Sequence, residues 1–342
     1  MNWDKLMNWA SLVKWPVWRI LAALLAGALI AVTVGRIALA GGAPPTGETA
    51  TAVPKGAPKV VVTIKPIHSL VTRLLEGIAT PRLLVTGAGS PHTFALKPSD
   101  VRALNDADVF VRVSDALEPF TRAIVRSLPQ SVEVVTLSKA PGVKLLDQRS
   151  GATFDSHEHG DNDHEHEGAI ADGHIWLDPG NAKAVVAELA GALSRSSPGH
   201  SARIKENAAR LATDIDAMTA DIAAETAALK DKPFVVFHDA YQYFERRFGL
   251  DAAGAITVSP DHQPSAKRLV ELRRRIASLN AVCVFVEPRF QPGLVAAITE
   301  GSNAHVGTLD PEGSGLEPGP DLYITLMRNL ATGFKTCLAP PS

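Results

Sequence analysis

Cysteine is nearly missing from this chain of 342 residues, which holds only Cys283 and Cys337. Neither lies near the N-terminal segment, and this excludes a form anchored there by a lipid on cysteine. There is no excess of positive charge. Thirty-four Lys and Arg stand against 36 Asp and Glu, a net charge of −2. A nucleic-acid partner would need a basic footprint and a matching motif, and the chain offers neither. A cationic ligand would have to be held by a local site. No H-E-x-x-H motif occurs. The apolar run at residues 20–34 is short of the ~20 residues that span a membrane. What is present in quantity is apolar side chain, 46% of the residues. That suffices for real cores, and the length allows two domains of ordinary size.

Residues 1–40 read as a secretory signal peptide. Lys5, Lys14 and Arg19 precede the apolar run, and Ala38-Leu39-Ala40 offers a small-x-small cleavage site before Gly41. The basic segment is long and carries Trp3, Trp9, Trp15 and Trp18, so an uncleaved anchor is the alternative. Translation could start at Met1 or at Met7, where a second M-N-W begins. Export places the protein in the periplasm, where an even pair of cysteines suggests a disulfide between Cys283 and Cys337. Residues 41–58, rich in Gly, Pro, Thr and Ala, read as a disordered linker.

The stretch from Phe154 to Pro179, FDSHEHGDNDHEHEGAIADGHIWLDP, holds two kinds of histidine. His157, His159, His164 and His166 alternate with Asp and Glu in residues 155–167, where nothing apolar could pay for folding. Imidazoles and carboxylates on a loop suit weak collection of a borderline divalent metal such as zinc. A solvated acidic tether is the other reading. His174 differs, because Ile175, Trp176 and Leu177 follow it and imply packed structure.

Around this stretch, short β-branched runs alternate with helical patterns. Strands are expected at residues 60–64, 82–85, 109–113 and 132–136, with helices from Pro66, from Pro98 and over 118–128. After a helix over 181–194 and a break at Ser197-Pro198-Gly199, the residues Ile204, Ala208, Leu211, Ile215, Met218 and Ile222 recur by fours and threes. They form one stripe on a helix of about thirty residues. A second alternating block has strands at 234–237, 253–258, 282–286 and 304–309, and helices at 240–248, 265–279, 292–300 and 322–334. The fold expected is α/β, two four-stranded lobes joined by one long helix, with a metal in the cleft between them. The first lobe would take residues 59–183, the helical linker 184–230 and the second lobe 231–342.

Ligands of open α/β sheets bind beyond the carboxyl ends of the strands. His238 follows one second-lobe strand and Asp310 another; His92 lies in the loop after the second strand, and His174 at the exit of the His-rich segment. His92, His174, His238 and Asp310 together would make a four-coordinate set suited to Zn²⁺. Singly, each could be an ordinary loop residue, and Asp310 could cap a turn. His68 could face the cleft from a helix; His200 and His262 read as surface, and His305 as packing.

The segments SPHTFALKPSD, HIWLDP, FHDAYQYFERRFGL, CVFVEPRFQP and GTLDPEG resemble those of the ZnuA family, the zinc-specific solute-binding components of bacterial ABC uptake transporters. The likeness runs from Val60 to Leu338, and FHDAY with the His-rich insertion is specific to the zinc branch. The resemblance implies two α/β lobes on a rigid helix, zinc in the cleft, and His92, His174 and His238 as ligands. It also implies a Cys283–Cys337 disulfide and an inner-membrane ABC permease as partner of a monomeric carrier. Some relatives offer a Glu just before the first ligand histidine, where this chain has Pro91. Proline cannot ligate, so Asp310 or water is left for the fourth position, and Asp310 is expected to bind directly. Manganese relatives put a carboxylate where His238 stands, which favours zinc here.

The function expected is therefore periplasmic zinc capture for a permease, and no enzyme. A metallochaperone or a metal-dependent adhesin could use the same site. A zinc hydrolase also uses three histidines and water, but no base or substrate pocket is visible in the sequence.

Overall fold

The structure is a computed structural model. It describes residues 56–87, 89–149, 170–257, 265–278, 281–288 and 292–339. The expected signal peptide, most of the linker and the segment with His157, His159, His164 and His166 lie outside these residues, as does His262.

The first lobe is a parallel sheet of β1 (Val60–Val62), β2 (Arg82–Leu83), β3 (Val109–Arg112) and β4 (Glu133–Thr136). Its helices are α1 (Lys65–Leu74), α2 (Pro98–Asn105) and α3 (Thr121–Ser127). The second lobe repeats the plan with β5 (Phe234–His238), β6 (Ala252–Thr257), β7 (Cys283–Val286) and β8 (His305–Thr308). Its helices are α6 (Gln242–Phe248), α7 (Ala266–Ser278), α8 (Pro292–Thr299) and α9 (Leu322–Leu338). Strand orders are β2-β1-β3-β4 and β6-β5-β7-β8. In each lobe the chain first moves to one side of the opening strand and then crosses to the other. The crevice at the carboxyl edge therefore opens between β1 and β3, and between β5 and β7.

Strand periodicity decides how the lobes join. Side chains alternate between the faces of a sheet. Val60 and Val62 of β1, Phe234 and Val236 of β5, and Cys283 and Phe285 of β7 enter one apolar cluster. Their neighbours Val61, and Val235 with Val284, enter separate outer clusters, one per lobe. The shared cluster also takes the buried faces of α1, α4 (Pro179–Ser196), α5 (Ser201–Thr226) and α9. Both lobes thus rest on one continuous core.

The long stripe lies on α5, a helix of 26 residues, hence about 39 Å long. Ile204, Leu211, Ile215, Met218 and Ile222 are buried along it, packed against α1, α4 and α9. The helix starts three residues after Pro198 because Pro198–His200 forms a 3-10 turn first. Among the described residues no helix is long and apolar enough to cross a membrane.

Several element ends differ from expectation by a few residues, β2 stopping at Leu83 and α6 starting at Gln242 among them, and two of the differences have a clear local setting. Helix α3 begins at Thr121 and not at Glu118, because the Glu118 carboxylate turns back to accept from the backbone N–H of Val113 (2.7 Å) and Ser114 (3.1 Å). Helix α9 runs four residues past Phe334. Its last turn carries Cys337, bonded to Cys283 of β7 with Cα atoms 6.0 Å apart. The bond pins the last helix to a central strand. Closing a loop of this length contributes about 4 kcal/mol on the chain-entropy account.

Candidate metal centre

His238 is the last residue of β5 and is 1% exposed. His174 opens a 3-10 turn at Ile175–Leu177 whose three side chains are fully buried, and it is itself 4% exposed. His92 sits on the loop after β2 and is partly exposed. Two histidines thus come from the first lobe and one from the second. Their ring centroids lie 5.0 Å (His174 to His238), 5.6 Å (His92 to His238) and 5.8 Å (His92 to His174) apart. One nitrogen of each ring lies within 4.8 Å of the others.

Hydrogen bonds on the outer side of the rings set which nitrogen faces inward. Nδ1 of His174 meets Asp172 Oδ1 at 2.7 Å, and the same oxygen accepts from the His174 backbone N–H at 3.0 Å. Nδ1 of His238 meets Glu287 Oε1 at 3.0 Å. A carboxylate accepts, so each Nδ1 carries the proton and each Nε2 presents a lone pair. The Nε2 atoms of His92 and His174 are buried without a hydrogen-bond partner. Buried ring nitrogens left without a partner are costly unless something else binds them. Burial, and next the two neighbouring rings, push the His92 imidazole down to about 3, against a smaller pull upward from Asp172. It is therefore neutral at physiological pH, and a cation need not displace a proton from it. Zn–N bonds of ~2.0–2.1 Å place tetrahedral nitrogens about 3.3 Å apart. The rings need only a small inward movement to grip such an ion.

The structure does not bring Asp310, expected as a direct ligand, into this group. Asp310 follows β8 as expected, but its carboxylate closes its own loop. Oδ1 accepts from Glu312 N (3.3 Å), and Oδ2 from Ser314 Oγ (2.9 Å) and Gly315 N (3.1 Å). An Asp that can bond its own backbone a few residues on prefers that turn. The loop is then held from the first lobe. Lys65 Nζ donates to the carbonyl oxygens of Gly313 (3.2 Å), Ser314 (2.9 Å) and Leu316 (2.9 Å), and Trp176 Nε1 to that of Pro311 (2.9 Å). His68 is also apart from the group: it is buried on α1, with Nε2 3.1 Å from the Pro81 carbonyl oxygen. His200 bonds Ser197, and His305 is exposed at the start of β8, so it does not pack.

Sequence reasoning passed over Asp172 and Glu287. Both had a signal. Asp172 stands two residues before His174, the spacing of a short side-chain-to-backbone turn. Glu287 follows β7, which pairs with β5 in the register Phe234↔Cys283 and Val236↔Phe285. Carrying that register two residues on sets Glu287 beside His238.

Two parallel lobes on one core, with a nitrogen cluster where their carboxyl edges meet, define a two-lobed binding protein whose site suits a metal cation. The chain belongs to the ZnuA family, zinc-uptake complex component A periplasmic, which it matches over residues 60–337. It is 43% identical over 305 residues to the high-affinity zinc uptake system protein ZnuA of Brucella suis biovar 1, a match covering 82% of this chain and 91% of that protein. Identity to the protein of the same name from Paracoccus denitrificans is 34% over 299 residues, covering 82% and 92%. Among solved structures, a crystal structure of ZnuA superposes with a TM-score of 0.69 at 23% identity, over 83% of this chain and all of that one. The periplasmic zinc binding protein TroA of Treponema pallidum gives 0.68 at 21%, with the same coverage. At these identities the two structures speak for the fold.

Proposed function

We infer that this chain captures Zn²⁺ in the periplasm and delivers it to an ABC permease. The observation that supports this best is the convergence of three imidazole nitrogens, two from one lobe and one from the other, with the outer nitrogens of His174 and His238 held by carboxylates. An all-nitrogen, neutral donor set suits Zn²⁺ and poorly suits hard cations such as Mg²⁺ or Ca²⁺. Ion and donors carry a net positive charge, and Asp172 and Glu287 offset it from behind the rings. With Asp310 held in its own turn, the fourth position falls to water. The carboxylates that touch the rings, Asp172 and Glu287, are engaged in orienting them, so the site reads as a carrier and not as a hydrolase. His157, His159, His164 and His166 would add weaker, collecting sites.

Competition titration against a chromophoric chelator tests this reading, together with the metal content of protein purified from the periplasm. One tightly held zinc per chain is expected. His238→Ala and His174→Ala should each lower the affinity by well over the ~100-fold upper range of a supporting residue. Tight zinc retained by both variants, or a periplasmic protein loaded with another metal, would overturn it.

A further inference from the structure

Behind His238 lies a buried ion cluster that holding a metal does not by itself require. Arg149 stands at the end of the described stem before the His-rich segment, and its guanidinium meets two second-lobe carboxylates. Nε donates to Asp239 Oδ1 (3.0 Å) and Oδ2 (3.2 Å), Nη1 to Glu245 Oε2 (2.7 Å), and Nη2 to Glu245 Oε1 (3.1 Å) and to Asp239. The Asp239 and Glu245 side chains are 2% and 3% exposed, and that of Arg149 17%. Glu245 also accepts from Ala252 N (3.3 Å).

Each end of this cluster leads to a metal-facing histidine. Asp239 is joined to His238 by a peptide bond. The stem of Arg149 pairs with the returning chain, Gln148 N to Ile170 O and Asp172 N to Leu146 O, both at 2.8 Å. Asp172 in turn holds Nδ1 of His174. The first turn of helix α6 grips the same stem. Leu146 N donates to Tyr243 Oη (3.0 Å), which donates to Asp172 O (2.9 Å), while Gln242 donates to Asp147 O (2.9 Å). A buried ion pair is often no more stabilising than an apolar contact of the same size. What a guanidinium fork adds is direction, since its planar donors meet two carboxylates in one orientation only.

We propose that Arg149 is a positioning residue for the metal: it locks the stem that orients His174 to the strand end that carries His238, so that the two rings face each other before the metal arrives. The proposal rests on the reading of the three histidines as zinc ligands. Less ordering then remains to be done at binding.

Three measurements on the full chain test it: zinc affinity by chelator competition, the visible spectrum of the cobalt-loaded protein, and the melting temperature. Arg149→Met should weaken zinc by about 10–100-fold and alter the cobalt bands. Because it leaves two buried carboxylates uncompensated, it could also fail to fold. The triple variant Arg149→Met, Asp239→Asn, Glu245→Gln removes that charge. It should recover the melting temperature and still bind zinc more weakly, with altered cobalt bands. Wild-type zinc affinity and an unchanged cobalt spectrum in the triple variant, or in a folded Arg149→Met, would leave Arg149 a purely structural residue and overturn the proposal. Tight zinc in His238→Ala would instead remove the reading of the site itself.

Discussion

Two carboxylates near the cleft, Asp310 and Glu287, have the same chemistry and opposite roles, and what surrounds each decides which. The three partners of Asp310 lie in its own loop, whereas Glu287 holds a ring nitrogen of His238. Asp310→Ala should therefore leave zinc affinity within a few-fold and lower stability by about 1–3 kcal/mol through lost turn bonds. Glu287→Gln should do the reverse, costing ~10–100-fold in zinc affinity with little change in melting. An Asp310→Ala protein that loses most of its zinc affinity would restore Asp310 as a ligand. Glu118 makes a second residue-scale case. Full burial pushes its carboxyl up from 4.5 to about 7, although the Thr63 hydroxyl and the amides of Val113 and Ser114 pull the other way. The folded state then binds a proton more tightly than the unfolded chain. Its contribution to stability is complete below about pH 4.5 and is lost as pH rises to about 7, on the order of 3 kcal/mol in all. Glu118→Gln stays neutral, so its stability relative to the parent should grow between pH 4.5 and 7.5 in urea titrations. Parallel profiles for the two proteins would contradict this. Glu118 was legible only as a helix former, because its fold-back needs the β3 end to be in place.

At the scale of elements, most of the architecture was legible. Val60–Val62, Phe234–His238 and Cys283–Val286 are β-branched or aromatic runs buried on both faces, and the 4-3 stripe of α5 admits only one period. What stayed illegible is where the post-β8 loop goes. Lys65 and Trp176 hold it from the first lobe, and nothing within GTLDPEG points to residues more than a hundred positions away. The His-rich segment poses the complementary question, since its chemistry is plain and its placement is outside the described residues. Its composition gives it many donors and no apolar surface. We propose that it adds only metal sites weaker than the three imidazoles of the cleft. Removing residues 155–167 should keep one tight zinc per chain and abolish only the weaker equivalents in a calorimetric titration. Loss of the tight zinc would mean that the segment supplies a primary ligand.

For the whole molecule, the decisive feature is that the two lobes share one core. The shared cluster runs from Val60 of β1 through Ile204–Ile222 of α5 to Phe334 of α9. Lobes built this way cannot unfold one at a time without exposing the same surface, so the metal-free protein should melt in a single transition. On the function proposed above, zinc would bridge His92 and His174 of one lobe to His238 of the other and would be bound only when both are folded. It should therefore raise that one transition as a unit, following RT ln(1 + [Zn]/Kd), about 4 kcal/mol at a thousandfold excess over Kd. Lobes already seated on each other leave little room for a large closing movement, so the radius of gyration in solution should hardly change on loading. Scanning calorimetry at several buffered zinc concentrations, with small-angle scattering on the same samples, checks both points. Two transitions, of which only one responds to zinc, would show that the lobes are independent and that the ion is held by one of them alone. The sequence foretold two lobes and a bridging helix but not this coupling, because each strand reads as buried on both faces whether its inner face meets its own lobe's helices or a core held in common.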